Sequence, residues 1–120
     1  MQAQKPKVIV TRKLPKDVEI RLTELFDTSL SINDKQFTRD ELVNAVKKCD
    51  VLVPTVGDKI DGSLLAMAGK NLKLIANYGA GFDHIDVKTA LARGILVTNT
   101  PGVSASDTAD IAMTLILALP

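Results

Sequence analysis

The residues best suited to chemistry in this 120-residue chain gather in one stretch, NYGAGFDHID, residues 77–86. It follows an apolar run, sets Gly79 and Gly81 one residue apart, and holds the chain's single histidine, His84. Glycines after a strand can form a loop of outward-facing backbone N–H groups, and such loops bind small anions, carboxylates included. A histidine can exchange a proton near neutral pH because its ordinary pKa is about 6.5. Three readings stand open: a dinucleotide loop, a carboxylate-binding loop, and a plain turn whose glycines serve backbone geometry alone.

A dinucleotide fingerprint needs G-x-G-x-x-G, the third glycine packing helix against strand. Here the frame runs Gly79, Ala80, Gly81, Phe82, Asp83, His84, with histidine in the third place. The next helix is expected only near Asp86. Ribose recognition wants an acidic residue about 20 positions on, and Thr98 and Asn99 stand there instead. These departures weigh against the dinucleotide reading. His84 has no acidic partner placed by the sequence, so a surface or capping role is expected of it. Asp83 and Asp86 suit turn and cap positions. Cys49, the one cysteine, ends a helical pattern beside Lys48 and Asp50 and is expected to be a structural thiol. No nucleophile triad, paired carboxylates or metal-ligand cluster is evident, so no catalytic and no metal-binding residue is assigned.

Composition bounds the rest. Hydrophobic residues make up 46% and charged residues 24%, with a net charge of +1. That balance fits one globular domain and gives no basic surplus for nucleic acid or an anionic membrane. The four aromatics, Phe26, Phe37, Tyr78 and Phe82, are scattered and build no base-stacking platform. A single cysteine precludes an internal disulfide and suits a reducing compartment. The N-terminus is polar where a signal peptide would be apolar, and the apolar run at 111–119 is shorter than the roughly 20 residues of a membrane span. A cytoplasmic protein is expected.

The elements that must position the loop alternate. Residues 7–11 are a β-branched run. Val18, Leu22, Leu25 and Phe26 recur at helical spacing behind Pro15. Residues 28–32 alternate as a half-buried or edge strand would. Thr38 and Glu41 have capping-box spacing before Leu42, Val43 and Val46. Residues 51–54 form a third strand pattern, and 61–69 a short helix with Gly69 at its C-terminus. Residues 72–76 are a fourth strand. Asp86 caps a helix reaching Arg93, with Gly94 ending it, before a fifth strand at 95–98. This alternation implies an α/β fold: a flavodoxin-like, doubly wound parallel sheet of about five strands. Two ligand sites of such folds are disfavoured. The first loop, residues 11–15, has no glycine to cradle a flavin phosphate. The strand ends carry no clustered carboxylates for a phosphoacceptor Mg²⁺ site. Thr100, Pro101 and Gly102 then break the pattern. Ser104 to Asp107 can cap a last helix, apolar on nearly every side from Ile111, as a helix buried all round would be.

From Leu72 to Leu117 the residues LKLIANYGAGFDHIDVKTALARGILVTNTPGVSASDTADIAMTLIL closely resemble the N-terminal half-motif of the D-isomer-specific 2-hydroxyacid dehydrogenases. The likeness is greatest to the glyoxylate/hydroxypyruvate reductase branch. The resemblance implies a substrate-binding (lid) domain at 1–99, then a hinge and crossover helix at 100–120 leading towards a cofactor domain absent from this chain. It implies reduction of a small 2-oxo acid with NAD or NADP, bound mainly by that other domain. It places the substrate carboxylate on Gly79, Ala80 and Gly81, the pocket wall at Thr55 and Val56, and the cleft lining at Val103 and Ser104. Ala80 and Thr108 match positions near the cofactor. Asp110 stands where glutamate is more frequent. The family's catalytic arginine, glutamate and histidine all match beyond this chain, so the 120 residues alone are expected not to catalyse. His84 lies before the hinge and does not match the catalytic histidine. A homodimer, formed through the apolar helix or the other domain, is also implied. The alternative is a stand-alone, non-catalytic α/β module that associates through that helix.

Overall fold

The computed structural model describes residues 5–79 and 81–99. Among them the order is β1 (Lys7–Val10), α1 (Lys16–Leu25), β2 (Asp27–Ser29), α2 (Arg39–Lys48), β3 (Val51–Val53), α3 (Gly62–Ala66), β4 (Leu74–Ala76), α4 (Val87–Ala92) and β5 (Leu96–Thr98). The strands form one parallel sheet in the order β2-β1-β3-β4-β5. The expected doubly wound α/β sheet is therefore present. The trailing helix expected after Thr100 lies outside the described residues.

Successive strand residues face opposite sides of a sheet, and the two sides are packed differently. Val8, Val10, Val51, Val53, Leu74 and Ala76 face α1, which contributes Val18, Leu22 and, at its C-cap, Phe26. Ile9, Leu52 and Ile75 face α2, α3 and α4 through Leu42, Val46, Leu64, Leu65 and Ala90. Strands buried on both faces need unbroken apolar runs rather than alternation, which is why β3 reads Val-Leu-Val and β4 Leu-Ile-Ala. Each such side chain removed from water contributes about 1.5–3 kcal/mol.

Thr38 opens α2 as its spacing predicts. Its hydroxyl accepts from the Glu41 amide at 3.2 Å, and the Glu41 carboxylate accepts from the Thr38 amide at 2.9 Å. Lys47 and Lys48 then stand at the negative end of the helix dipole.

Three expectations are corrected. Leu25 is partly exposed, because the stripe that α1 buries is Val18, Leu22 and Phe26, four residues apart each time. The second strand starts at Asp27 and ends at Ser29, paired with Lys7, Val8 and Ile9 of β1; Ile32 beyond it is 89% exposed. Gly69 does not end α3, which stops at Ala66 with Met67 as its C-cap. A Cβ on Gly69 would lie 2.5 Å from the Lys47 carbonyl oxygen, and the Gly69 amide donates to Val46. This glycine lets one backbone pass directly over the end of α2.

Candidate functional site

Parallel strands bring their carboxyl ends to one edge, and the crevice there is where open α/β sheets bind ligands. In this chain a cleft of about 520 Å³ lies beyond β1, β3 and β4, lined by Arg12, Lys13, Asp34, Thr55, Val56, Tyr78, Gly79 and Gly81. It sits where β1 has β2 on one side and β3 on the other, so the connections leave the sheet in opposite directions.

The wall made by Thr55 and Val56 is tied down by Asp58, which is 1% exposed. One oxygen of its carboxylate, Oδ2, accepts from the Thr55 amide at 2.9 Å, from the Thr55 hydroxyl at 3.4 Å and from the Thr11 hydroxyl. The Asp58 amide donates back to the Thr55 carbonyl at 3.0 Å. The other oxygen, Oδ1, is buried with no hydrogen-bond partner among the described residues. Buried polar groups in folded proteins are almost always hydrogen-bonded. Here the donors sit at the ends of β1 and β3, so Asp58 locks two strand ends together under the cleft.

Across the cleft lies the glycine loop. It leaves β4 at Asn77, whose amide donates to Thr98 of β5, and is pinned again at His84, whose carbonyl accepts from Ile60. Inside the turn, the Asn77 side chain is 1% exposed. Its nitrogen donates to the Gly81 carbonyl at 2.8 Å and to the Gly79 carbonyl at 3.4 Å. Its oxygen faces His84 Nε2 at 2.9 Å. The Gly79 amide donates to the Asn77 carbonyl at 3.1 Å. The Gly81 amide makes no hydrogen bond among the described residues. The helix after the loop begins only at Val87, with the Asp86 carboxylate accepting from the Thr89 amide at 3.1 Å.

The imidazole of His84 is half-buried, and burial pushes its pKa below the ordinary value against the pull of Asp58 and Asp83. It therefore stays neutral further into the acid range. At the outer rim, Arg12 donates to Asp34 at 2.9 Å, and the same carboxylate oxygen accepts from the Lys13 amide. The Arg12 contact holds the Asp34 carboxyl below the usual carboxylate range. Asp34 adopts φ 53°, a left-handed conformation that aspartate tolerates better than most residues.

Thr55, Val56, Gly79 and Gly81, named from the sequence, meet in this one cleft. Ala80, Val103, Ser104 and Thr108 lie outside the described residues. His84, expected at the surface or as a cap, is half-buried, and its ring meets the Asn77 side chain. Asp58, Asn77, Arg12 and Lys13 escaped the sequence reading. Asp58 carried a local signal, an aspartate three residues after a threonine at a strand end. Asn77 carried none beyond its place at the end of an apolar run.

A family model described as "D-isomer specific 2-hydroxyacid dehydrogenase, catalytic domain" matches residues 8–114. A protein of Thermococcus litoralis named glyoxylate reductase is 44% identical over 96% of this chain and 34% of its own length. A solved structure from Polaromonas sp. matches at TM-score 0.78 and 30% identity, over 94% of this chain and 35% of that one. A glyoxylate/hydroxypyruvate reductase of Sinorhizobium meliloti, solved with NADP and malonate, matches at TM-score 0.60 and 31% identity, over 95% of this chain and 34% of that one. The chain thus spans about a third of the length of the relatives it matches.

Proposed function

The chain belongs to the D-isomer specific 2-hydroxyacid dehydrogenase family, and from that premise we propose that it is the substrate-holding part of an oxidoreductase acting on a small 2-oxo acid. Glyoxylate and hydroxypyruvate are the favoured substrates, since relatives at 44% and 31% identity carry those names. Within the chain, residues 1–99 act as the lid domain and 100–120 as hinge and crossover.

One observation carries the reading most directly. Gly81 lines the cleft and its amide makes no hydrogen bond among the described residues, while the Gly79 amide donates to the Asn77 carbonyl. A carboxylate is the ligand such an amide serves best, because a charged acceptor strengthens the bond. We assign Gly81 and Ala80 as the carboxylate donors, Gly79 as a wall, and Thr55 and Val56 as the surface facing the rest of the substrate. Val103 and Ser104 complete the cleft in this reading. Holding the carboxylate fixes the adjacent carbonyl carbon, and orientation of that kind supplies much of the rate in such reactions.

The described residues do not fit the nicotinamide dinucleotide that the family implies. The third glycine position of the fingerprint holds His84, and no helix starts directly after the loop. NAD or NADP would be held outside these residues, with Ala80 and Thr108 contributing at most the contact nearest the nicotinamide. The family chemistry also calls for a proton donor and a cationic clamp, and neither role is assigned within the chain. The proposal therefore includes that these 120 residues bind but do not turn over. It includes homodimer formation through the apolar helix or the other domain, readable as native mass, and a cytoplasmic location, which suits the free, buried Cys49.

The test has two arms on the purified chain. Oxamate, a stable mimic of a 2-oxo acid, should shift the Gly81 amide resonance saturably, and no shift would sink the carboxylate assignment. NADH or NADPH oxidation with glyoxylate should stay at background, and turnover would sink the non-catalytic claim.

A further inference from the structure

Glycine loses more freedom on folding than any other residue, so a loop with two glycines holds a ligand-ready shape only if something fixes it. In this chain the buried side chain of Asn77 lies inside the turn and meets three parts of it: the Gly79 carbonyl, the Gly81 carbonyl and the His84 ring. Each C=O shares a planar peptide with the N–H of the next residue. The two anchored carbonyls, of Gly79 and Gly81, therefore belong to the peptides on either side of the one that carries the Gly81 N–H, and that N–H is held between two points fixed by Asn77.

We propose that Asn77 is a positioning residue for substrate binding: its carboxamide, braced by His84, sets the turn that presents the Gly81 amide to a carboxylate. The proposal rests on the reading of that amide as a carboxylate donor.

The orientation of the carboxamide follows from its surroundings. Both glycine carbonyls are acceptors only, so the Asn77 nitrogen must face them and its oxygen must face the imidazole. His84 Nε2 then carries the hydrogen in that bond. A doubly protonated ring would still donate from Nε2, so the brace holds in either charge state of His84. His84 is fixed independently, by the pairing of its carbonyl with Ile60. A rigid anchor, the sheet at β4, is thus linked through one side chain to the far limb of the loop.

Two substitutions separate positioning from packing. Asn77→Ala removes all three contacts. Asn77→Asp keeps the size and the acceptor facing His84, but turns a lone pair towards the Gly81 carbonyl. Both should weaken oxamate binding at least tenfold, with the loss reported at Gly81, while amide resonances of Val8, Leu52 and Ile75 in the sheet stay in place. The aspartate variant should also raise the midpoint of the chain's one histidine above that of the parent, adding a carboxylate to the field of Asp58 and Asp83. The parent, Asn77→Ala and Asn77→Asp are titrated with oxamate by NMR and their His84 ring signals followed against pH. Parent-like oxamate affinity in a variant with an intact sheet overturns the positioning role alone. An aspartate variant whose histidine midpoint does not rise overturns the brace. Failure of the parent itself to bind oxamate overturns the carboxylate reading and this proposal with it.

Discussion

The amide of Thr55 donates to the carboxylate of Asp58 across 2.9 Å, and the same carboxylate receives the buried hydroxyl of Thr11 at the end of β1. One acidic side chain therefore stands between two strands that neighbour each other in the sheet but lie more than forty residues apart in sequence.

Removing that carboxylate leaves buried donors without an acceptor, which costs about 1–3 kcal/mol for such groups. Asp58→Ala should lose stability in that range, read from urea unfolding. Asp58→Asn retains one acceptor oxygen for the same donors and should lose less. An alanine variant as stable as the parent would show that water or a shifted Thr55 satisfies these groups instead.

Gly69 offers a sharper contrast because another glycine serves as its control. A methyl group at Gly69 meets the Lys47 carbonyl oxygen at 2.5 Å, backbone that cannot swing away. Gly69→Ala should cost about 1–3 kcal/mol, as overpacked positions do. At Gly57 the nearest atom is a Gln36 side-chain nitrogen at 3.5 Å, and Gly57→Ala should stay within about 0.5 kcal/mol, the range of unstrained surface changes. Equal melting temperatures for the two variants would refute the close approach.

His84 sets a pH dependence whose sign follows from its burial. Its folded pKa lies below the ordinary value, so the unfolded chain binds the proton more readily. Its contribution to stability is fully present above about pH 6.5 and falls as acid takes the pH from there down through the folded midpoint. With a single histidine in the chain, the ring signals report that midpoint without assignment. A midpoint above 6.5 would mean that Asp58 and Asp83 outweigh burial.

Cys49 caps α2 at 1% exposure, and burial pushes its thiol pKa up to about 12. The thiolate is the reactive form. A disulfide reagent such as DTNB should therefore react with the folded chain only as fast as the region opens, and rapidly in urea. Prompt reaction in buffer would place the thiol at the surface.

The sheet was legible because strands buried on both faces must be apolar without interruption, and Val51 to Val53 and Leu74 to Ala76 are. Helix starts were legible where a side chain caps locally, at Thr38 and Asp86. The edge strand was misjudged because its bounds depend on where its pairing with β1 starts and stops, at Lys7 and Ile9, which no residue of β2 records. In the site, the glycine loop and the Thr55 wall announce themselves by residue type and by position after a strand. Asn77 and Asp58 do not. Each acts through partners brought near by the fold, from two to forty-seven residues away, and only the paired strand ends reveal that they are neighbours.

The strand order has a bearing on how the chain reaches this form. β2 and β3 each add to β1, β4 adds to β3, and β5 adds to β4. Every strand thus docks on one already synthesised, and none must wait for a later partner. Such a sheet can assemble in the direction of translation, as chains that fold from the N-terminus do. The glycine turn takes its place only when β5 arrives to receive the amide of Asn77, which makes this loop a late product of the folding order.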